Sequence, residues 1–362
     1  MSNGILTIVR KEVFDYLSNR TFLVILAIFS LLILVSAYQG VLTYDEQVQT
    51  YNEQLEISQA MEQGFGQGQF PTGGGPEGNF SRIFDRFRGA ARGLAAVPEP
   101  DTMDSFRSMV TFIGLVGGIL ALVLGFDAVS GERERRSLSV LMTMPVFRDV
   151  VINSKIISRL VVVVIALGVS FLLGSVLIIG LTGYSPTGDD VSRLVVMLLL
   201  CVAYVALFLG LGVLLSTKFK DSSSALLWGV IIWLVLTILV PQMAGLVADA
   251  ILPGSTLGRA QLFQLPQEER EEAMTQLNED LVRRQKIEET VTLISPRTHF
   301  EKAAEAVLSK TTETAFTDTG EGRSIGLSEA IADSWQNIIV LLVVTVVLFG
   351  SCYFLFTRMD VT

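Results

Sequence analysis

The chain has 362 residues, 50% of them hydrophobic and only 17% charged, with a mean hydropathy of +0.53. Soluble globular chains carry less apolar and more charged sequence than this, and several runs here approach the ~20 apolar residues that cross a bilayer. The net charge of −9 argues against nucleic acid as the main partner. The two cysteines lie inside apolar runs, and His299 is the single histidine, which argues against a disulfide framework, a histidine-rich metal site or a Ser-His-Asp hydrolase.

Residues 1–20 contain ILTIVRKEVFDYL. Ile5, Leu6, Val9, Val13, Tyr16 and Leu17 share one helical face, the pattern of a helix lying in the membrane interface. A plain extension of the next helix is the alternative. The first span is expected at 21–38. Val35-Ser36-Ala37 has the form of a signal-peptide cleavage site, but the apolar run is long for a signal peptide and its leader carries Glu12 and Asp15, so an uncleaved span is expected.

Residues 39–108 read as a first large loop. It opens with a polar helix, Tyr44 to Gln63, and continues into the Gly-rich GFGQGQFPTGGGPEG, expected to be flexible. The arginine- and phenylalanine-rich segment after Ser81 reads as an amphipathic helix resting on lipid headgroups or on its neighbours. Asn79-Phe80-Ser81 has the form of a glycosylation sequon.

Five further spans are expected at 109–126, 160–181, 194–216, 225–247 and 337–356. A second large loop covers 248–336. Within it, Gln267 to Val291 is charged with Met274, Leu277 and Leu281 at helical spacing. Pro296 breaks that pattern, and Thr298 to Glu301 reads as a capping box opening a helix from His299 to Ser309. His299 is expected to be structural or solvated there.

Short-loop charge sets orientation. The segment 127–159 carries Arg133, Arg135, Arg136, Arg148, Lys155 and Arg159, and the turn from Thr217 to Ser222 carries Lys218 and Lys220. The short loop from Gly183 to Val191 carries Asp189 and Asp190 and no cation. Both basic segments are therefore expected on the cytoplasmic side, with both termini cytoplasmic and both large loops outside. The fold class expected is an all-α integral membrane protein with six transmembrane helices, an N-terminal interfacial helix and two large, mainly helical extracytoplasmic loops.

No P-loop, G-x-S-x-G, H-E-x-x-H or CxxC pattern occurs. The spans are almost free of ionisable residues, whereas self-contained ion pumps show intramembrane acids. Asp127 sits only at a membrane edge. The segment 127–159 then stands out. Glu132 to Arg136 alternates in charge, Ser137 to Met142 is largely apolar, and Pro145 stops the run.

The pattern FDAVSGERERRSLSVLMTMPVFRDVVINSK resembles the loop between spans two and three in permeases of the type-2 exporter class of ATP-binding-cassette transporters. The resemblance rests on Phe126-Asp127, Glu132-Arg133-Glu134, Ser137-Leu138, Leu141-Met142, Pro145, Arg148 to Val151 and Lys155. Arg136-Ser137 departs from the Gly-Thr common in the family. The helix carrying Arg10, Lys11 and Glu12 resembles the family's interfacial elbow. Ile294-Ser295-Pro296 followed by Phe300 resembles the branch linked to multicopper-enzyme maturation and sodium efflux.

The resemblance implies a permease that catalyses no chemistry, binds no cofactor of its own and works as a pair, identical or related, with cytoplasmic ATPase subunits that hold ATP and Mg. It implies that Glu132 to Pro145 is a coupling helix seated on the ATPase. Leu138, Leu141 and Met142 would supply its apolar anchor, and Glu132, Arg133, Glu134 and Arg136 its register. Ser137 and Pro145 complete the motif, and Arg10, Lys11, Glu12, Lys218 and Lys220 would be secondary contacts. A non-transporting assembly or sensing subunit that binds a partner through its outer loops is the alternative class. An intramembrane enzyme is disfavoured by the missing motifs. The transported substrate is not legible in the sequence.

Overall fold

The computed structural model describes residues 2–66, 100–135, 148–252, 267–310 and 325–358. Among them every regular element is helical, and six helices are long and apolar enough to cross a membrane: Phe22–Glu56, Thr102–Glu134, Asp149–Thr182, Gly188–Lys218, Ser222–Ile251 and Leu327–Arg358. The chain is an all-α, multi-pass membrane protein.

The short helix α1 (Ser2–Leu17) is followed by α2 (Arg20–Gly66), a single helix of 47 residues. The expected separate helix at Tyr44 is instead the continuation of the first span. No proline lies between Tyr38 and Gly66, and propagating an existing helix is easier than nucleating a new one. The second span is α3 (Ser105–Phe112), a π-helical turn (Ile113–Gly117) and α4 (Gly118–Gly125), with the single-turn α5 (Ser130–Glu134) at its end. The third is α6 (Arg148–Thr182), so the last part of the segment 127–159 is already helix. The fourth is α7 (Gly188–Lys218). The fifth is α8 (Ser222–Leu234), a second π-turn (Val235–Leu239) and α9 (Val240–Ile251). Then come α10 (Gln267–Thr292), α11 (Pro296–Leu308) and the last span, α12 (Leu327–Arg358).

α7 is the axis of the bundle. It packs against α4, α6, α8, α11 and α12. Every residue from Tyr204 to Val213 is buried, as expected of a helix that is apolar all round. Small residues let its neighbours close in: a Cβ on Gly212 would stand 3.2 Å from the Gly125 Cα, which puts α7 backbone against α4.

α11 begins at Pro296, with Ser295 as its N-cap residue, and not at His299 with Thr298 as the cap, as the capping-box pattern suggests. Proline presets the φ of a first helical turn and lacks an N–H that would go unpaired there. The hydroxyl of Ser295 turns away from its own helix and donates to the Leu236 carbonyl at 2.7 Å. His299 is buried, with Nδ1 2.8 Å from Asn337 Oδ1 and Nε2 3.0 Å from the Leu293 carbonyl. It fastens α11 to α12.

The end of the bundle opposite α1, the far end, is closed by two cations, Arg193 buried and Lys310 partly buried. The side chain of Arg193 is 1% exposed. It donates to Asp189 at 2.7 Å, to the Val307 and Ser309 carbonyls at 2.8 and 3.1 Å, and to the Ile325 carbonyl. Lys310 pairs with Asp190 at 2.7 Å and Asp101 at 3.4 Å, and donates to Tyr184 Oη at 3.2 Å. Burial opposes the Lys310 charge, but the bonds to Asp190 and Tyr184 outweigh it and hold the amine above its ordinary pKa.

Gly40 of α2 meets span two so closely that a Cβ there would lie 2.1 Å from the Ser105 carbonyl oxygen, whereas a Cβ on Gly168 of α6 would meet nothing within 4 Å. Gly40→Ala is expected to destabilise the purified protein by about 1–3 kcal/mol, the usual range for overpacking against backbone. Gly168→Ala is expected to be neutral or to stabilise by up to ~1 kcal/mol through helix propensity. Thermal unfolding in detergent checks both, and equal midpoints for the two variants would refute the contact.

Candidate functional site

The segment that stands out in the sequence leaves span two at Gly125. Its first turn is fixed from below. The Ser216 hydroxyl, at the end of α7, accepts the backbone N–H groups of Val129 and Ser130 at 2.9 and 3.0 Å. These are the donors that the start of a helix leaves without intrahelical partners. The Ser130 hydroxyl returns to the Phe126 carbonyl at 2.9 Å. Ser130 and Ser216 are both fully buried.

α5 is then stitched to the turn between spans four and five. Arg133 donates to the Phe219 carbonyl at 3.3 Å, and Glu134 Oε1 accepts the Ser222 N–H at 2.6 Å. Ser222 opens α8, so Glu134 caps that helix from another segment and places a negative charge at its positive end.

On α6, Lys155, Ser158 and Arg159 stand at i, i+3 and i+4 and share one face. The Lys155 side chain is 4% exposed. It is paired with Glu132 of α5 and lies 3.4 Å from Glu12 Oε1 of α1. Ser158 donates to the other Glu12 oxygen. The Arg159 side chain, 5% exposed, donates to the Leu124 carbonyl at 2.8 Å and pairs with Asp127 at 3.2 Å. Its guanidinium lies 5.4 Å from the centroid of the Tyr16 ring, within reach of a cation–π contact. Burial pushes the Tyr16 phenol up to about 12 against the opposing pull of Arg159, with Asp127, Glu12 and Glu132 adding to the rise. Tyr16 is therefore neutral at ordinary pH.

Two cations and three carboxylates thus join four parts of the chain: α1, the end of span two, α5 and the start of α6. The ion pairs tie these four parts together. Among the described residues no group of three His, Cys, Asp or Glu is placed to hold a metal ion.

Of the residues singled out in the sequence, Glu132, Arg133 and Glu134 lie in this junction with partners inside the chain. Glu12 belongs to it too. Arg10 and Lys11 are exposed on α1, and Lys218 and Lys220 are exposed on the turn beside α5. Arg136, Ser137, Leu138, Leu141, Met142 and Pro145 lie outside the described residues. Sequence reading missed the roles of Lys155, Ser158, Arg159, Asp127, Ser216 and Tyr16. The available signal was the i, i+3, i+4 spacing of Lys155, Ser158 and Arg159 at the root of an otherwise apolar span.

A family model described as ABC-2 family transporter protein matches residues 6–361. No curated protein matches the chain.

Lys155→Met is expected to leave Glu12 and Glu132 facing one another without a cation between them. The loss should be about 2 kcal/mol, below the ~3–5 kcal/mol typical of a fully buried pair because both carboxylates keep some solvent. Glu132→Gln in the same chain should recover part of it. Thermal unfolding of the single and double variants measures this; strictly additive losses would mean that the three side chains are not coupled.

Proposed function

The chain belongs to the ABC-2 family of transporter proteins, and from that premise we propose that it is the permease subunit of an ATP-driven exporter whose ATP hydrolysis is carried out by a separate cytoplasmic subunit. It is a membrane transport component of an ABC transporter. ATP and Mg would sit in the partner, and two permease chains, identical or related, would complete the assembly. The resemblance of Ile294-Ser295-Pro296 and Phe300 to the multicopper-maturation and sodium-efflux branch supports that branch as the finer placement.

The observation that carries the reading is the junction around Lys155. A partner that displaces residues 136–147 pulls on α5. Through Glu132 and Lys155 the pull reaches α6 and α1; through Glu134 and Ser222 it reaches α8. Three spans and the interfacial helix then receive one displacement. In this mechanism Glu132, Arg133 and Glu134 are positioning residues that hold the root of the coupling helix. Leu138, Leu141 and Met142 form the apolar anchor in the ATPase groove, because helix-in-groove binding draws on i, i+3 and i+4 contacts. Arg136 and Ser137 set register, and Pro145 ends the helix. The exposed Arg10, Lys11, Lys218 and Lys220 make secondary contacts at the rim, where charges act on specificity and association rate more than on affinity. The excess of cations on the short segments of this end supports a cytoplasmic placement for it and for both termini.

Leu138→Asp combined with Leu141→Asp is expected to abolish co-purification with the ATPase, at a cost on the order of 2–4 kcal/mol per lost anchor. Membrane yield should be unchanged, because both positions lie outside the spans. An intact complex with intact transport-coupled ATPase activity would reduce the segment to a topology signal. Orientation has its own check: in sealed cells a cysteine at Gln285 should react with an impermeant thiol reagent and one at Ser139 should not, the reverse result placing the junction outside.

A further inference from the structure

α11 lies in a segment that reads as loop, yet its first turn stands beside the middle of the spans. Ser295 and Arg297 donate to the Leu236 and Thr237 carbonyls, at 2.7 and 3.3 Å, near the midpoint of span five. Phe300 stacks on Tyr204, near the midpoint of span four, with ring centroids 4.6 Å apart. Tyr204 in turn donates to the Gly114 carbonyl of span two. All three accepting carbonyls belong to π-helical turns, which release backbone groups from the regular ladder and recur at functional sites. Two spans thus carry a π-turn at one depth, and the start of α11 bonds to one of them and stacks on the tyrosine that bonds to the other.

One face of α11 is buried through His299, Phe300, Ala303, Ala304 and Val307. Another carries Arg297, Glu301 and Glu305 at successive i+4 steps. Arg297 pairs with Glu301 at 2.7 Å, and their side chains are 20% and 34% exposed. A Cβ on Gly114 would lie 3.4 Å from Glu301 Oε1, which places this pair against span two. Nearer the far end, Glu305 pairs with Arg107 at 2.9 Å. The charges form a continuous ladder from the far end to mid-span depth. The span sequences themselves are almost free of ions, so α11 supplies charge where the spans do not.

Charges at hydrocarbon depth do not face lipid; they face protein or a water-filled cavity, and they mark the routes of polar cargo. Arg297 and Glu301 are only partly covered by protein. We propose that this face of α11, with the two π-turns, lines a water-filled cleft open to the far end, and that the cleft passes polar or charged groups of the transported substrate. The substrate half of this inference rests on the permease reading; the water-filled cleft does not.

The test is thiol labelling of the full chain in unsealed membranes, so that labelling does not depend on orientation, in a background where the buried Cys201 and Cys352 are replaced by serine. Glu301→Cys should react readily with membrane-impermeant charged thiol reagents. Val346→Cys, on the apolar part of α12 and 70% exposed, should stay unlabelled. With Arg297 left without its partner, an anionic sulfonate reagent should modify Glu301→Cys about tenfold faster than a cationic ammonium reagent, from local concentration of counter-charge. Arg297→Cys should show the opposite preference. Membrane yield and full labelling after denaturation certify each variant, and Glu301→Cys alone decides if Arg297→Cys does not accumulate. Protection of Glu301→Cys to the level of Val346→Cys overturns the cleft. Equal rates for the two reagents overturn its charged lining. Loss of ATPase coupling would remove the permease reading while leaving the labelling result standing.

Discussion

Among the described residues three cations are buried: Arg193 at the far end of α7, and Lys155 and Arg159 at the near end of α6. A charge taken out of water costs several kcal/mol unless acceptors are arranged around it. Each of these side chains therefore dictates where several other segments must lie. Arg193 demands the carbonyls that end α11 and the one at Ile325 before α12. Lys155 demands Glu12 and Glu132, and Arg159 demands Asp127 and the Leu124 carbonyl of span two. The bundle is fastened at both ends by charge satisfaction, while its middle is held by packing.

That middle depends on α7. A helix buried on all sides can have neighbours on all sides, and the contact of Gly212 with Gly125 shows how close one of them comes. Where the packing is interrupted, at the π-turns of spans two and five, released carbonyls find donors on Tyr204, Ser295 and Arg297. The irregularities are thus satisfied by α11 and by α7, not by lipid. α11 is fixed to span four at one end and to span five at the other, which links the central helix of the bundle to one of its less enclosed spans.

The near-end junction and the α11 ladder have different physical characters. Around Lys155 the cation is buried, with its partners partly exposed, and the ion pairs join separate elements, which suits transmission of a displacement. Along α11 both members of the Arg297–Glu301 pair are partly exposed and lie within one helix, which suits contact with water and with polar cargo. A transporter needs both: a stiff connection to its source of work and a path that water and polar groups can enter.

The sequence by itself determined that this is a six-span helical membrane protein and that a charged amphipathic segment follows span two. These are linear properties. About twenty apolar residues are needed to cross a bilayer, and the helix satisfies its own backbone, so hydropathy along the chain suffices to find it. Tertiary structure alone decided the rest. Lys155 and Arg159 read as topology charges, and only the folding of α1 and α5 against α6 makes them the centre of a junction. Glu132 and Glu134 read as partner-facing, yet inside the bundle Lys155 and the open end of α8 claim them first. Arg297 and Glu301 read as loop charges, because their depth is set by Ser295, His299 and Phe300 gripping three different spans. Pairings between residues far apart in the chain depend on how helices pack, and no local pattern encodes that.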